Sequence, residues 1–345
     1  MLGGGIFVTQ NKALPGSYIN FVNATKATTN IGERGIVAIP LAVGIAPKTV
    51  IEVTNSEFVK NCKTIFGFEY TSEEAKPLRE IFCHASKVYV YDMGEDSTIS
   101  EAINALEPYD FNVLCPYTGV DGDVTACITA VKDWRDNMGK KCQVVVYNAG
   151  TTNHEGVINV VSTVTDEGAD EYALVAWVAG AEAGCAINAS CTNMLYDGEY
   201  AVKVDKTQSE LEACLKAGQF IFHNVYGDIR VLEDINSLTE VTVDKGEDFK
   251  YNQTIRVIDQ IANDIAKLFN TKYLGKIPNN ASGRVSLWAD IVAHHKQLET
   301  IQAIENFDST LVTVEQGETK KSVVVNDVIT VTNAMAQLYM TVVIQ

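Results

Sequence analysis

The chain has 345 residues, 46% of them hydrophobic, and a formal net charge of −17. This length and composition allow a sizeable buried core shared between two or three domains. The charge argues against nucleic acid and anionic membrane as partners, since either would repel the chain at long range.

Near the N-terminus, Ser17 to Ala24 is rich in strand formers (Tyr18, Ile19, Phe21, Val22) but has no hairpin partner beside it, because the polar run NATKATTNIG follows. The apolar runs RGIVAIPLAV (Arg34 to Val43) and KTVIEVT (Lys48 to Thr54) read as strands. Alternation then sets in: strand SKVYVYDM, helix over Thr98 to Leu106, strand FNVLC, helix over Val124 to Met138 with Asp123 as N-cap, strands KCQVVVYN and VINVVSTV, and a small-residue helix over Asp170 to Ala189. Short apolar strands separated by helices imply βαβ units and a largely parallel sheet. A helix SELEACLKAG opens with the capping-box spacing of Ser209 and Glu212 and ends at Gly218, and QFIFHNV and DIRVLEDIN form a strand pair joined through YGD.

The charged stretch DKGEDFKYN (Asp244 to Asn252) marks a domain boundary. Beyond it, Ile255, Ile258, Ile261, Ala262, Ile265, Leu268 and Phe269 make the apolar face of an amphipathic helix, with Arg256, Gln260, Asn263 and Lys267 opposite. A second helix spans roughly Gly283 to Glu305, followed by strands in TLVTVEQG and KKSVVVNDVITVT. The last segment, LYMTVVIQ, is again β-branched and aromatic, and like Ser17 to Ala24 it lacks a sequence neighbour to pair with.

The chemistry-bearing motifs fail one by one. There is no P-loop, and Gly3 to Gly5 do not link a strand to a helix. No G-x-S-x-G occurs, and His154 in NHEG has no motif-level nucleophile or carboxylate, so it reads as a loop residue. His294 and His295 are adjacent on a helix and point about 100° apart, a poor arrangement for chelating one ion. Asp121 and Asp123 lack the further ligands of a calcium loop. The small residues of AGAEAGCAINAS suit close helix-to-sheet packing better than a cofactor box.

No catalytic, cofactor or metal residue is therefore assigned. The longest apolar run, YALVAWVAGA, is about half the roughly 20 residues of a membrane span, and no cleavable signal is visible, so a soluble chain is expected. Eight irregularly spaced cysteines read as reduced thiols, mostly in the core, of a cytosolic product. One charge feature departs from the rest: between residues 250 and 300, seven Lys/Arg face four acids. It fits either a solvated helix face or a docking surface for an acidic protein.

GGGIFVTQNKALPGSYINF, GERGIVAIP, LVAWVAGAEAGCAINASCTNMLYDGEY and IRVIDQIANDI, in this order and spacing, resemble the contractile tail sheath proteins of phages and phage-tail-like bacteriocins, closest to those of Gram-positive hosts. The resemblance runs nearly the full chain.

It implies an α/β protein with four parts: an N-terminal arm over 1–24 donated to a neighbour, an outer middle domain over 25–244 with a subtilisin-like fold, a tube-facing α+β domain over 245–332, and a C-terminal arm over 333–345. It implies no enzymatic activity and no cofactor. It also implies stacked rings of identical subunits around an inner tail tube protein, with baseplate and tail terminator proteins at the ends. Such a subunit is made in the bacterial cytoplasm and assembled into a tail or tail-like particle.

On this reading Tyr18, Ile19, Phe21, Tyr339, Thr341, Val342, Val343 and Ile344 are inter-subunit strand residues, and the polar spacer behind the first strand keeps a link while the bodies rotate. The basic window, with Arg256, Lys267, Lys272, Lys276, Arg284 and Lys296, faces the tube. The alternative is a soluble α/β enzyme of unknown substrate, which accounts only for the βαβ pattern.

Overall fold

A computed structural model describes residues 31–94 and 96–344. The N-terminal strand expected at Tyr18, Ile19 and Phe21 lies outside these residues.

Seven strands form the main sheet: β1 (Ile36–Leu41), β2 (Val50–Thr54), β3 (Lys87–Asp92), β4 (Val113–Leu114), β5 (Gln143–Tyr147), β6 (Val157–Val160) and β7 (Gln219–Phe220). Their order is β2-β3-β1-β4-β5-β6-β7, and every neighbouring pair is parallel except β2 with β3. Near-continuous apolar strands are what a parallel sheet covered on both faces requires.

The alternation of side chains along each strand feeds two cores. On one face Val37 and Ile39, Val88 and Val90, and Val145 pack with helices α1 (Asn55–Phe66), α2 (Lys76–Phe82) and α5 (Leu174–Gly184). On the other, Ala38, Tyr89, Tyr91, Val144 and Val146 meet α3 (Ile99–Leu106) and α4 (Asp121–Asp133). The result is a three-layer α/β unit.

Helix α5 is buried along its length with no polar stripe, the pattern of a central helix. Its close approach is to α2 and the turn that follows it rather than to the sheet alone. A Cβ on Gly180 would stand 2.3 Å from the Ile81 carbonyl oxygen, and one on Gly184 2.1 Å from that of His84.

Several boundaries differ from the sequence expectation. Helices α1 and α2 fill a stretch the strand pattern leaves unassigned. Helix α4 starts at Asp121 with Val120 as N-cap residue, so Asp123 is a first-turn residue, where its charge still suits the helix dipole. Its end passes into a π-helical turn over Trp134–Met138. Helix α5 is shorter than Asp170 to Ala189, because the chain turns extended at Cys185.

Helix α6 (Gln208–Lys216) is capped by Thr207 and Glu210 rather than Ser209 and Glu212. The Glu210 carboxylate accepts from the Thr207 amide at 2.7 Å, and Thr207 Oγ1 accepts from the Glu210 amide at 3.4 Å. The strand pair β8 (Phe222–Val225) and β9 (Asp228–Val231) is an antiparallel hairpin turning at Tyr226 and Gly227, both with positive φ.

The remaining chain holds two long helices, α7 (Asn252–Leu268) and α8 (Ala281–Thr300), the latter ending about a turn before Glu305. Two small antiparallel sheets accompany them, β10 (Ile304–Glu305) with β13 (Thr330–Val331), and β11 (Thr313–Gln316) with β12 (Val323–Asn326). Val257, Leu298 and Ile304 centre one small core here, and Tyr273, Leu287 and Ile291 another. Among the described residues, no helix is long and apolar enough to cross a membrane.

Candidate assembly interface

Helix α7 organises the junction between the α/β unit and the C-terminal elements. The sequence places Arg256 and Gln260 on an outer, basic face of this helix. The structure corrects that placement: both are buried, and Arg256 is among the largest fully buried side chains. Burying polar groups is tolerated only where partners replace water, and the α/β unit supplies such partners along the first three turns.

Arg256 Nη2 donates to Glu182 Oε2 at 2.7 Å and to Asp234 Oδ2 at 3.3 Å, while Nη1 donates to the Ala189 carbonyl at 2.6 Å. Burial, then the neighbouring Asp234 carboxylate, pushes Glu182 well above the usual carboxylate range. Asp234 is held low; burial opposes its charge, but Arg256 and the donors around it outweigh that. The surroundings thus favour the neutral form of Glu182 and the charged form of Asp234, which pairs with Arg256.

One turn further on, Asp259 takes a two-pronged bond from Arg135, with Nη1 at 2.5 Å and Nη2 at 2.9 Å. Asn252 accepts from Gln143 at 3.0 Å, and Asn263 donates to the Lys141 carbonyl at 2.8 Å.

The same helix grips both ends of the described chain. Gly32 N–H donates to both carboxylate oxygens of Asp264 at 3.1 Å, and Arg34 Nη1 reaches Gln260 Oε1 at 3.4 Å. Burial, with Arg256 adding to it, lowers Arg34 to about 10. At the other end, Gln253 Nε2 donates to the Thr332 carbonyl at 3.1 Å and its Oε1 accepts from Ala334 N–H at 2.9 Å, while Thr254 lies 3.2 Å from Asn333. Beyond these contacts residues 333–344 are exposed and without secondary structure.

The other basic residues divide. Lys267, Lys276 and Lys296 are exposed. Lys272 and Arg284 are half-buried, Lys272 paired with Asp290 at 2.5 Å and Arg284 bonded to Asn279 at 3.0 Å.

Among the described residues, two groups bring metal-ligating side chains together, Asp136–His154–Glu155 and Glu182–Cys191–Asp234. Each already contains a side-chain cation: Lys245 sits 2.9 Å from both oxygens of Glu155, and Arg256 lies among the second set. His154 stays in a loop, yet it is buried and close to Asp136 at 3.3 Å. The described cysteines are free thiols; Cys83 is exposed and Cys214 half-buried, and the other six are buried.

Comparison with known proteins gives the class. Residues 95–237 match the family described as phage tail sheath protein central domain, and residues 244–345 the phage tail sheath C-terminal domain. The tail sheath protein of Clostridium phage phiCD119 is 30% identical over 270 residues, which cover 77% of this chain and 70% of that protein. The phage-like element PBSX protein XkdK of Bacillus subtilis is 29% identical over 261 residues, 72% of this chain and 56% of that one.

Among solved structures, the sheath tail protein of Desulfitobacterium hafniense superposes with TM-score 0.75 at 24% identity, covering 92% of this chain and all of that one. The contracted helical sheath of the anti-feeding prophage gives TM-score 0.72 at 12% identity, over 97% and 99% of the two chains, a likeness of fold.

The chain belongs to the phage tail sheath family. It is a structural tail sheath subunit, and the comparisons lend the enzyme alternative no support.

Proposed function

We propose that this subunit polymerises by donating both terminal segments as strands to neighbouring copies, and that the polymer surrounds an inner tube and shortens to drive it through a target envelope. The observation that carries this reading is the C-terminal segment. It exposes Leu338, Tyr339, Met340, Val342, Val343 and Ile344, the last at 92%, and Thr341 lies among them. A contiguous apolar, β-prone stretch left in water marks a surface made to be covered.

Acceptor edges are available, since β10–β13 and β11–β12 are two-stranded sheets with open edges among the described residues, and Val324 and Val325 of β12 are exposed. Strand addition draws affinity from main-chain hydrogen bonds, and a donor that differs from its acceptor gives a head-to-tail contact that propagates. Tyr18, Ile19 and Phe21 take the equivalent role at the other end.

In this reading 25–244 is the outer domain, with a subtilisin-like arrangement supported by helices on both faces of a mostly parallel sheet, and 245–332 faces the tube. Lys267, Lys276 and Lys296 are the basic residues free to meet it, with Lys272 and Arg284 as secondary contacts. The subunit catalyses no reaction. Its partners are an inner tail tube protein, baseplate and terminator proteins, and the particle is a phage tail or bacteriocin assembled in a bacterial cytoplasm.

The test is deletion of Leu338 to Gln345, followed by sedimentation, electron microscopy and thermal unfolding. A folded chain that does not polymerise is expected, because a donated strand adds little to its own core. Normal tubes from the truncated chain would overturn the reading. So would a large loss of melting temperature in the monomer, which would mean that the segment pairs within its own chain.

A further inference from the structure

His294 and His295 are 1% and 0% exposed, the most deeply buried ionisable pair of α8, and the sheath function as described makes no use of them. Although consecutive on a helix, their rings turn toward each other and bring the Nδ1 atoms within 3.3 Å. The outer nitrogens are both taken: His294 Nε2 lies 3.0 Å from Asp264 Oδ2, and His295 Nε2 lies 2.5 Å from Asp327 Oδ2. Carboxylates accept, so each Nε2 is placed to donate, and the two Nδ1 atoms face each other within hydrogen-bond distance. Every polar atom of the two rings then has a partner.

The ends of this chain of contacts matter most. Asp264 is the residue whose two oxygens receive the Gly32 amide. Asp327 stands between β12 and β13, and β13 leads directly into Thr332, whose N–H donates to the Ala303 carbonyl at 3.1 Å. Gln253 and Thr254, on the same helix as Asp264, hold Thr332 to Ala334 from the other side. Eleven residue steps along α7 lead from Gln253 to Asp264, a rigid span of about 16 Å at the helical rise.

We propose that Asp264, His294, His295 and Asp327 form one buried positioning relay that ties the chain at Gly32 to the chain at Thr332–Ala334, so that the two terminal segments leave the subunit in a fixed mutual geometry. Two segments that must engage different neighbours together need their roots held as a unit; a chain of side-chain polar contacts gives a directional link that apolar packing would not. The proposal rests on the arm reading only for its consequence. The relay itself is a property of the single chain.

Hydrogen exchange read by mass spectrometry on the purified full-length chain tests it. Replacing Asp327 with Ala removes the far acceptor. The expected result is exchange at the Gly32 amide faster by about tenfold, the scale of losing one charge-assisted hydrogen bond, with the β5 amides unchanged. Asp327→Asn, which keeps an accepting oxygen, should restore most of the protection. Faster exchange confined to residues 327–334 would overturn the relay and leave a local link. If Asp327→Ala loosens β5 as well, the Asn variant decides: equal acceleration at Gly32 and in β5 there also overturns it, and protection at Gly32 retained by Asn but lost by Ala supports it. A chain that passes this test yet still polymerises without Leu338 to Gln345 would refute the arm reading and not the relay.

Discussion

Arg256 on α7 and Glu182 on α5 meet at 2.7 Å with both side chains 1% exposed, a charged contact buried where the C-terminal helices join the α/β unit. Removing Arg256 strands the ionised Asp234 without its counter-charge. Arg256→Ala should therefore cost about 3–5 kcal/mol of stability. The measurement is the urea midpoint at constant slope, and a loss below about 1 kcal/mol would mean the site is not dependent on this ion pair.

The two carboxyls of this cluster should show opposite pH behaviour. Glu182 is raised above its ordinary 4.5, so its contribution is complete below that pH and declines as pH rises toward the folded value. Asp234 is lowered from 3.8, so its contribution is present above that pH and is lost as pH falls through the folded value. Glu182→Gln should remove the first slope at little cost near neutral pH, since burial and the Asp234 carboxylate already favour the uncharged acid that the amide mimics. Asp234→Asn should remove the second slope and destabilise at neutral pH. Stability curves of the parent and the two variants across the acid range check both; a large neutral-pH loss in Glu182→Gln would show the carboxyl to be ionised.

This cluster also marks how far the sequence could be read. Strand positions and the βαβ order were legible because a two-sided parallel sheet writes itself as short apolar runs. The apolar stripe of α7 was equally plain, but amphipathicity says nothing about what covers the polar side. Arg256 and Asp259 look like solvated charges until Glu182, Asp234 and Arg135, all from residues far away in the chain, arrive beside them. The cap of α6 slipped because Thr207 and Ser209 both offer a hydroxyl three residues before a Glu, and only backbone geometry chooses between them. The Cα–Cβ bonds of His294 and His295 diverge by about 100°, as consecutive helical positions must, and the side-chain torsions bring the rings together.

A packing prediction follows from α5. A methyl group on Gly180 would meet the Ile81 carbonyl at 2.3 Å, and backbone cannot move aside as a flexible side chain can. Gly180→Ala should destabilise by about 1–3 kcal/mol through separation of α5 from α2. Gly122, in the first turn of α4, has open space where a Cβ would go. Gly122→Ala should be neutral or stabilising by up to about 1 kcal/mol. Thermal unfolding of the pair checks the contrast, and equal effects would contradict it.

The burial of Arg256 rules it out as a probe of partner binding. Reversing Arg256 to Glu would place a third acid beside Glu182 and Asp234 and disrupt the fold, so loss of assembly in that variant would say nothing about the tube. Lys267 and Lys296 are exposed and outside that cluster, which makes them the clean probes. Exposed charges contribute little to folding, so Lys267→Glu with Lys296→Glu should leave the melting temperature almost unchanged. If the surface they occupy meets an acidic tube, co-assembly with tube should weaken and lose part of its salt dependence, because fewer attractive charges remain to be screened. Co-sedimentation of sheath with tube over a salt series reads both quantities. Unchanged co-assembly at every salt concentration would show that these lysines only solvate the helices that carry them.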